Sequence, residues 1–168
     1  GIGIALARRR RWLASPLASA LLVAVVIGEH AVPLEFQPVP ATDPAYVALA
    51  ALPDGAVLEM PVYSARAQFI RAKYMLASTI HWKPIVNAYS DYIPADFDAR
   101  MDVLGGFPSR ESFQQLVRDG VRYAVFHLDS YGAMRGELEK QLQAFAPFLR
   151  LHYADANTSV YEVIGTPP

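Results

Sequence analysis

The feature that most constrains this chain is a run of four arginines, Arg8 to Arg11, followed by seventeen residues without a charge, from Trp12 to Gly28. At about 1.5 Å per residue, a helix of this length comes close to crossing a bilayer core of about 30 Å. Basic residues favour the cytoplasmic side of a membrane, and the next lysine or arginine along the chain is Arg66. The pattern predicts a transmembrane helix over residues 12–28, with everything after it exported.

Two other interpretations of this segment compete with a membrane span. A cleaved signal peptide has the same order of basic and apolar regions, but it begins with an initiator Met, whereas seven apolar residues precede the arginines here. A buried helix of a soluble domain rarely follows four adjacent arginines. We therefore expect residues 1–11 to be the end of a preceding span and a cytoplasmic basic turn, and residues 12–28 to be the last span of a polytopic membrane protein.

The residues after the predicted span divide into a linker and a domain. Residues 29–44 contain four prolines, which favour an extended linker that lifts the domain off the membrane. Beyond residue 30 there are eleven Lys and Arg against fifteen Asp and Glu, a net charge of −4. This balance argues against nucleic acid as a partner, since nucleic acid binding requires a basic face. The chain has no Cys, so it forms neither a disulfide framework nor a thiolate metal site.

Residues 45–168 alternate between strand and helix patterns. Apolar runs over 56–62, 121–128, 148–153 and 158–164 are typical of strands, and helical spacing marks 45–52, 65–77, 109–120 and 133–145. The last two strands flank Asp155-Ala156-Asn157, which is typical of a hairpin turn. The order predicts a small α/β domain with a partly parallel sheet and a C-terminal antiparallel hairpin.

A polar and aromatic cluster between Ser78 and Tyr92 is the densest candidate site. It offers flat rings, neutral hydrogen-bonding groups and one cation, which a sugar or phosphate site requires. The alternative is an irregular loop whose rings pack against the sheet or rest at the membrane surface. The candidate ligand contacts in this cluster are His81, Trp82, Lys83, Asn87 and Tyr89.

His127 is a further candidate, because it lies near the end of the best strand, where open α/β sheets bind their ligands. A single His after an apolar run is also a common structural residue. Asp91, Asp96, Asp98 and Asp102 could bind a hard cation, but they lack the Gly and Glu of a calcium loop, and a solvated loop is the alternative. Because phosphate loops, nucleophile elbows and paired metal-binding His are absent from the sequence, we predict no catalytic residue, metal or cofactor here.

Several segments together resemble the extracytoplasmic tail of bacterial polytopic membrane proteins similar to the C-type integral-membrane glycosyltransferases, relatives of the protein mannosyltransferases. The resemblance lies in the last membrane helix, the proline linker, Pro53 to Pro61, the block from Tyr74 to Tyr92, Phe107 to Ser109 and Gly120 to Tyr123. It implies an inner-membrane protein with this domain in the periplasm or outside the cell. It also implies a polyprenyl-phosphate sugar donor, with the chemistry in another part of the parent protein.

Two function classes follow from these observations. In the first, the domain assists a membrane glycosyltransferase by binding lipid-linked sugar or a glycan acceptor, and its partners are the bilayer and the rest of the parent chain. In the second, it is a non-catalytic exported module, anchored by one span, that binds a partner protein or a ligand. The number of membrane spans upstream separates the two classes.

Overall fold

A computed structural model describes residues 15–31, 42–63, 68–88, 90 and 92–168. The chain forms two compact units, residues 1–40 and 41–168. The arginine run and most of the predicted linker lie outside the described residues, as do Tyr89 and Asp91.

In the first unit the structure describes one helix, α1 (Pro16–His30), which begins with Pro16 at its first position. A proline is tolerated there because the first-turn N–H groups have no partner within the helix. Among the residues that the structure describes, no helix combines the length and the apolar character needed to cross a membrane. The transmembrane helix predicted over residues 12–28 is therefore not supported, and its first three residues lie outside the described part.

The second unit is an α/β domain, as the sequence predicts. Its regular elements are α2 (Pro44–Ala50), β1 (Ala56–Met60), α3 (Gln68–His81), α4 (Phe97–Gly105), α5 (Arg110–Arg118), β2 (Val121–His127), α6 (Arg135–Ala144), β3 (Leu149–Ala154) and β4 (Thr158–Val163). Short 3-10 segments cover Leu128–Met134 and Ala146–Phe148.

The four strands form one mixed sheet in the order β1-β2-β4-β3. Strand β1 runs parallel to β2, while β4 is antiparallel to both β2 and β3. The predicted partly parallel sheet with an antiparallel C-terminal hairpin is therefore confirmed. Val125 pairs with Glu59 on one side and with Val160 on the other, which places β2 in the interior of the sheet.

Helices cover both faces of the sheet, because alternate side chains of each strand point to opposite sides. Leu58 and Phe126 pack with α4, α5 and α6 in a large apolar core. Val57 and Val125 pack with α2 on the opposite face, where Ala77 and Ile80 of α3 join them. The second, smaller layer contains the polar groups described below.

Local signals fix two of the helix starts. The Asp43 carboxylate accepts a hydrogen bond from the Ala45 N–H at 2.8 Å and caps α2, with Pro44 as its first residue. Ser109 and Ser112 form a reciprocal capping box at the start of α5. Both caps satisfy N–H groups that have no partner inside the helix.

The structure departs from the sequence-based expectation between residues 78 and 108. Helix α3 continues to His81 rather than ending near residue 77, and α4 lies in a stretch for which no helix was predicted. Phe97, Met101 and Leu104 form the buried side of α4. These apolar residues are few, and acidic and aromatic residues surround them. The sequence therefore shows only a weak helical periodicity in this stretch.

Candidate functional site

Glu59 is the centre of the candidate site. It lies on β1 on the same side as Val57, and its side chain is completely buried. Removing a carboxylate from water costs several kcal/mol unless donors replace the lost hydration. The surroundings of Glu59 must therefore supply those donors.

Two side chains from other elements hydrogen-bond the Glu59 carboxylate. The Tyr46 hydroxyl of α2 donates to Oε2 at 3.2 Å, and His127 Nε2 lies 2.9 Å from the same oxygen. The Tyr46 hydroxyl and His127 Nε2 are themselves 3.2 Å apart. His127 ends β2, the parallel neighbour of β1. We call these three residues, Glu59, Tyr46 and His127, the carboxylate cluster.

Aromatic rings surround the carboxylate cluster. The Tyr74 ring stacks on His127, with centroids 5.1 Å apart and planes 14° from parallel. The His81 ring stacks on Tyr46 at 5.7 Å and 19°. Tyr63 lies against Tyr74 at 6.2 Å. These flat side chains fix the orientation of Tyr46 and His127 and limit the access of water to the carboxylate.

Burial controls the protonation of the cluster. It raises the pKa of Glu59 above the ordinary value of 4.5, and the hydrogen bonds from His127 and Tyr46 offset only part of that rise. Burial, together with the nearby Glu59 charge, raises the pKa of Tyr46, so that its hydroxyl remains a donor. Burial lowers the pKa of His81 to about 4, with a contribution from Lys83, and its imidazole is therefore neutral near pH 7.

Three buried polar atoms in this part of the fold have no hydrogen-bond partner among the described residues. They are Oε1 of Glu59, Nε2 of His81 and the hydroxyl of Tyr131. Native proteins pair nearly all such atoms with protein, water or ligand. These atoms are donors or acceptors that no described residue uses.

Asn87, a predicted ligand contact, holds β1 in place. Its Oδ1 accepts from the Glu59 N–H at 3.1 Å, and its Nδ2 donates to the Glu59 carbonyl at 2.7 Å. The neighbouring backbone continues this pairing, since Val57 bonds to Pro84 and Val86. The segment after α3 thus covers the outer edge of β1, and the Asn87 side chain is used in doing so.

Lys83, another predicted contact, is also buried. Its amino group donates to the Leu52 carbonyl at 2.8 Å and to the Pro53 carbonyl at 3.1 Å, and it lies over the Tyr123 ring. Its neighbour Trp82 differs sharply, because 83% of that residue is exposed. Of the predicted contacts, His81, Asn87 and His127 therefore meet around Glu59, while Trp82 faces solvent and Tyr89 lies outside the described residues.

The remaining candidate was a cation site at the acidic residues near α4. Within the part of the chain that the structure describes, no group of three or more His, Cys, Asp or Glu could hold a metal ion. Asp96 instead pairs with Arg100 at 3.6 Å, and Asp91 lies outside the described residues.

A second carboxylate, Glu162 on β4, contrasts with Glu59. It pairs with Arg122 at 2.8 Å, with Arg150 at 3.2 Å and with His152 Nε2 at 2.8 Å. The hydrogen bond from His152 and the two guanidinium groups hold the pKa of Glu162 below its usual value. This carboxylate is stabilised as an anion by its three donors, whereas the Glu59 anion is disfavoured by burial.

The sequence interpretation did not identify Glu59 or Tyr46. The available signal for Glu59 was one acidic residue inside the otherwise apolar run Ala56 to Met60. A charged residue at an internal strand position needs a partner. Tyr46 carried no comparable signal, because its role depends on contacts between elements far apart in the sequence.

Comparison with known proteins adds no assignment. No family model matches the chain, and neither a curated protein nor a solved structure shows significant similarity to it.

The two carboxylates should give opposite pH dependences of stability. Because the folded-state pKa of Glu59 is raised, its stabilising contribution is present below the unfolded value of 4.5 and is lost as pH rises through the folded value. Glu59→Gln should therefore gain stability relative to the parent as pH increases above 4.5. Glu162 has a lowered pKa, so Glu162→Gln should lower the free energy of unfolding most near neutral pH. This loss of stability should disappear as pH falls below 4.5.

Urea unfolding of both variants and the parent, between pH 3.5 and 8, measures these slopes. The neutral substitution is the same at both positions, so each variant is the control for the other. A pH-independent free-energy difference for Glu59→Gln, or slopes of equal sign, would contradict the electrostatic description of the site.

Proposed function

We propose that the second unit is an extracytoplasmic accessory module of a membrane glycosyltransferase-like protein and that it assists binding of lipid-linked sugar or a glycan acceptor. The observation that carries the proposal is the solvent exposure of the Trp82 side chain. The indole is almost fully exposed on a backbone that its neighbours hold rigidly.

The Trp82 backbone is in an uncommon conformation. Its φ of 55° lies in the left-handed region, which costs a residue with a side chain about 1–2 kcal/mol. The Trp82 N–H donates to the Ser78 carbonyl at 2.7 Å, which closes the last turn of α3. A bulky residue at a position that suits glycine is typical of a side chain kept for function.

The flanking residues hold Trp82 from both sides. His81 and Lys83 are each only 5% exposed, and the Lys83 N–H donates to His81 Nδ1 at 3.0 Å. The bonds of the Lys83 amino group to the Leu52 and Pro53 carbonyls anchor the downstream side. Because both neighbours are buried, the Trp82 backbone has little freedom. The indole projects from it into solvent.

A rigid exposed indole suits the binding of sugars. It offers a flat apolar face for a sugar ring and one N–H donor, and little entropy is lost on binding because the backbone is already ordered. The net negative charge of the exported region also opposes nucleic acid as a ligand. These features support glycan binding, with the chemistry of transfer assigned to another part of the parent protein.

The membrane setting is part of the same proposal and comes from the resemblance and the basic run before α1. In this setting the second unit lies in the periplasm or outside the cell, and the parent protein resides in the inner membrane. Alkaline phosphatase fused after Pro168 in the full-length protein is expected to be active. An inactive phosphatase fusion, together with a fluorescent cytoplasm-only reporter at the same position, would contradict this placement.

A second candidate is a module that binds a partner protein. Met75 and Leu76 are exposed on α3, about two turns before Trp82, and add apolar surface on the same helix. Protein interfaces are enriched in Trp and Met. Under this function, serine at Met75 and Leu76 should weaken binding of the partner as strongly as loss of the indole.

The glycan function predicts that binding and stability respond in opposite directions to changes at Trp82. Trp82→Ala should weaken binding of a short-chain polyprenyl-phosphate sugar by about tenfold to a hundredfold, because the stacking face is lost. Trp82→Gly should weaken binding equally and raise the free energy of unfolding by up to about 1 kcal/mol, because glycine accepts a positive φ without strain.

Calorimetric titration of the 168-residue chain in detergent, with urea unfolding of each variant, measures both quantities. Lys83→Met is the comparison variant, since loss of its buried amino group should lower stability by about 1–3 kcal/mol and weaken affinity less than Trp82→Ala does, because the indole itself remains. Affinity that is indifferent to both Trp82 variants would refute the proposed role of the indole.

A further inference from the structure

One member of the carboxylate cluster, His127, is partly exposed to solvent. Glu59 and Tyr46 are buried, whereas the His127 side chain retains 18% of its exposure. Its Nε2 faces Glu59 and Tyr46. Its other ring nitrogen, Nδ1, makes no hydrogen bond to any residue in the described part of the chain.

We propose that the carboxylate cluster is a binding site for a hydroxyl group of a neutral sugar, with Nδ1 of His127 as the acceptor. The inference rests on the proposed function for the class of ligand and adds a second contact region to Trp82.

The hydrogen-bond geometry fits one tautomer of His127. Oε2 of Glu59 faces two groups, the Tyr46 hydroxyl at 3.2 Å and His127 Nε2 at 2.9 Å. When Oε2 accepts from both groups, the imidazole hydrogen lies on Nε2. Nδ1 then carries the lone pair. A buried carboxylate that fixes one His tautomer and leaves the other nitrogen available is a recurrent arrangement in sites that handle hydroxyl groups.

Unused polar atoms nearby fit the same ligand. Oε1 of Glu59 and the hydroxyl of Tyr131 are buried without a partner among the described residues. Tyr131 is close enough to Tyr74, whose ring stacks on His127, to add to the rise that burial causes in the pKa of Tyr74. Oε1 of Glu59 can accept a hydrogen bond, and the Tyr131 hydroxyl can both donate and accept one. Together they complement the hydroxyl groups of a sugar, which also donate and accept.

The cluster suits a neutral ligand better than a phosphate. It contains the carboxyl group of Glu59 and neither Lys nor Arg, so it offers a phosphate no guanidinium or ammonium partner. The sugar portion of a lipid-linked donor, or a glycan acceptor, therefore fits the cluster better than the phosphate portion.

The first test is the tautomer of His127, which requires no ligand. Long-range ¹H–¹⁵N spectra of the histidine-labelled chain at pH 8 should show the hydrogen on Nε2 and a deprotonated Nδ1. A hydrogen on Nδ1 at this pH would overturn the proposal.

The second test uses methyl glucoside and its fully O-methylated derivative, up to tens of millimolar. The glucoside should shift the His127 Nδ1 resonance, while the O-methylated sugar, which has no hydroxyl donor, should not. Equal shifts with the two sugars would overturn the assignment of a hydroxyl ligand, and so would the absence of any shift with the glucoside.

His127→Gln is the informative variant, because the glutamine amide can donate to Glu59 from the position of Nε2 but has no equivalent of Nδ1. Its unfolding midpoint should remain near that of the parent, and its affinity for the glucoside should fall at least tenfold. His127→Ala, which also removes the donor to Glu59, should lose both stability and affinity.

The two proposals fail separately. If Trp82→Ala leaves glucoside binding unchanged and His127→Gln abolishes it, the indole assignment fails and the cluster stands as the sugar site. If His127→Gln binds like the parent while Trp82→Ala does not, the cluster has no role in binding, and this inference is overturned.

Discussion

The burial of one carboxylate, Glu59, is the constraint on which the site depends. A charge without water is costly, and its cost falls only when donors are held close and in fixed directions. In this domain α2 supplies the Tyr46 hydroxyl and β2 supplies His127. The same residue is fixed through its backbone by Asn87, which bonds both its N–H and its carbonyl. Three other parts of the chain therefore converge on Glu59.

The two faces of the sheet have divided roles. The face covered by α4, α5 and α6 is an extended apolar core that includes Phe113 and Phe126, and it stabilises the fold. The face covered by α2 and α3 contains fewer apolar residues and the polar groups of the carboxylate cluster. Trp82 directly follows the last residue of α3, so both proposed contact regions involve this second layer.

Much of the α/β framework could be predicted, because it depends on local patterns. The strand pattern over 121–128 corresponds to β2 (Val121–His127), and the Ser109 signal corresponds to the cap of α5. The helix α4 was missed because its apolar positions are few and its neighbourhood is rich in turn residues. The membrane span predicted over residues 12–28 overlaps α1 (Pro16–His30), but no helix that the structure describes has the length and apolar character needed to cross a membrane.

The site was predictable only in part. His127 was selected because it ends a strand, and it belongs to the carboxylate cluster. Lys83 was selected for its charge, yet its amino group bonds to carbonyls about thirty residues away along the chain. Glu59 and Tyr46 were not selected. Strand ends can be predicted from the local sequence. The contact between Tyr46 and Glu59 cannot, because it depends on packing between distant parts of the chain.

The central claim is that the buried Glu59 carboxyl is stabilised by the donor from Tyr46, and a double-mutant cycle tests it most directly. The cycle combines Tyr46→Phe with Glu59→Gln and measures the free energy of unfolding at pH 8. Without the tyrosine hydroxyl the buried carboxyl loses a hydrogen-bond donor, so Glu59→Gln should be more favourable in the Tyr46→Phe background, with a coupling of at least about 0.5 kcal/mol. Effects that add to within about 0.3 kcal/mol would show that the two groups do not interact and would contradict this description of the site.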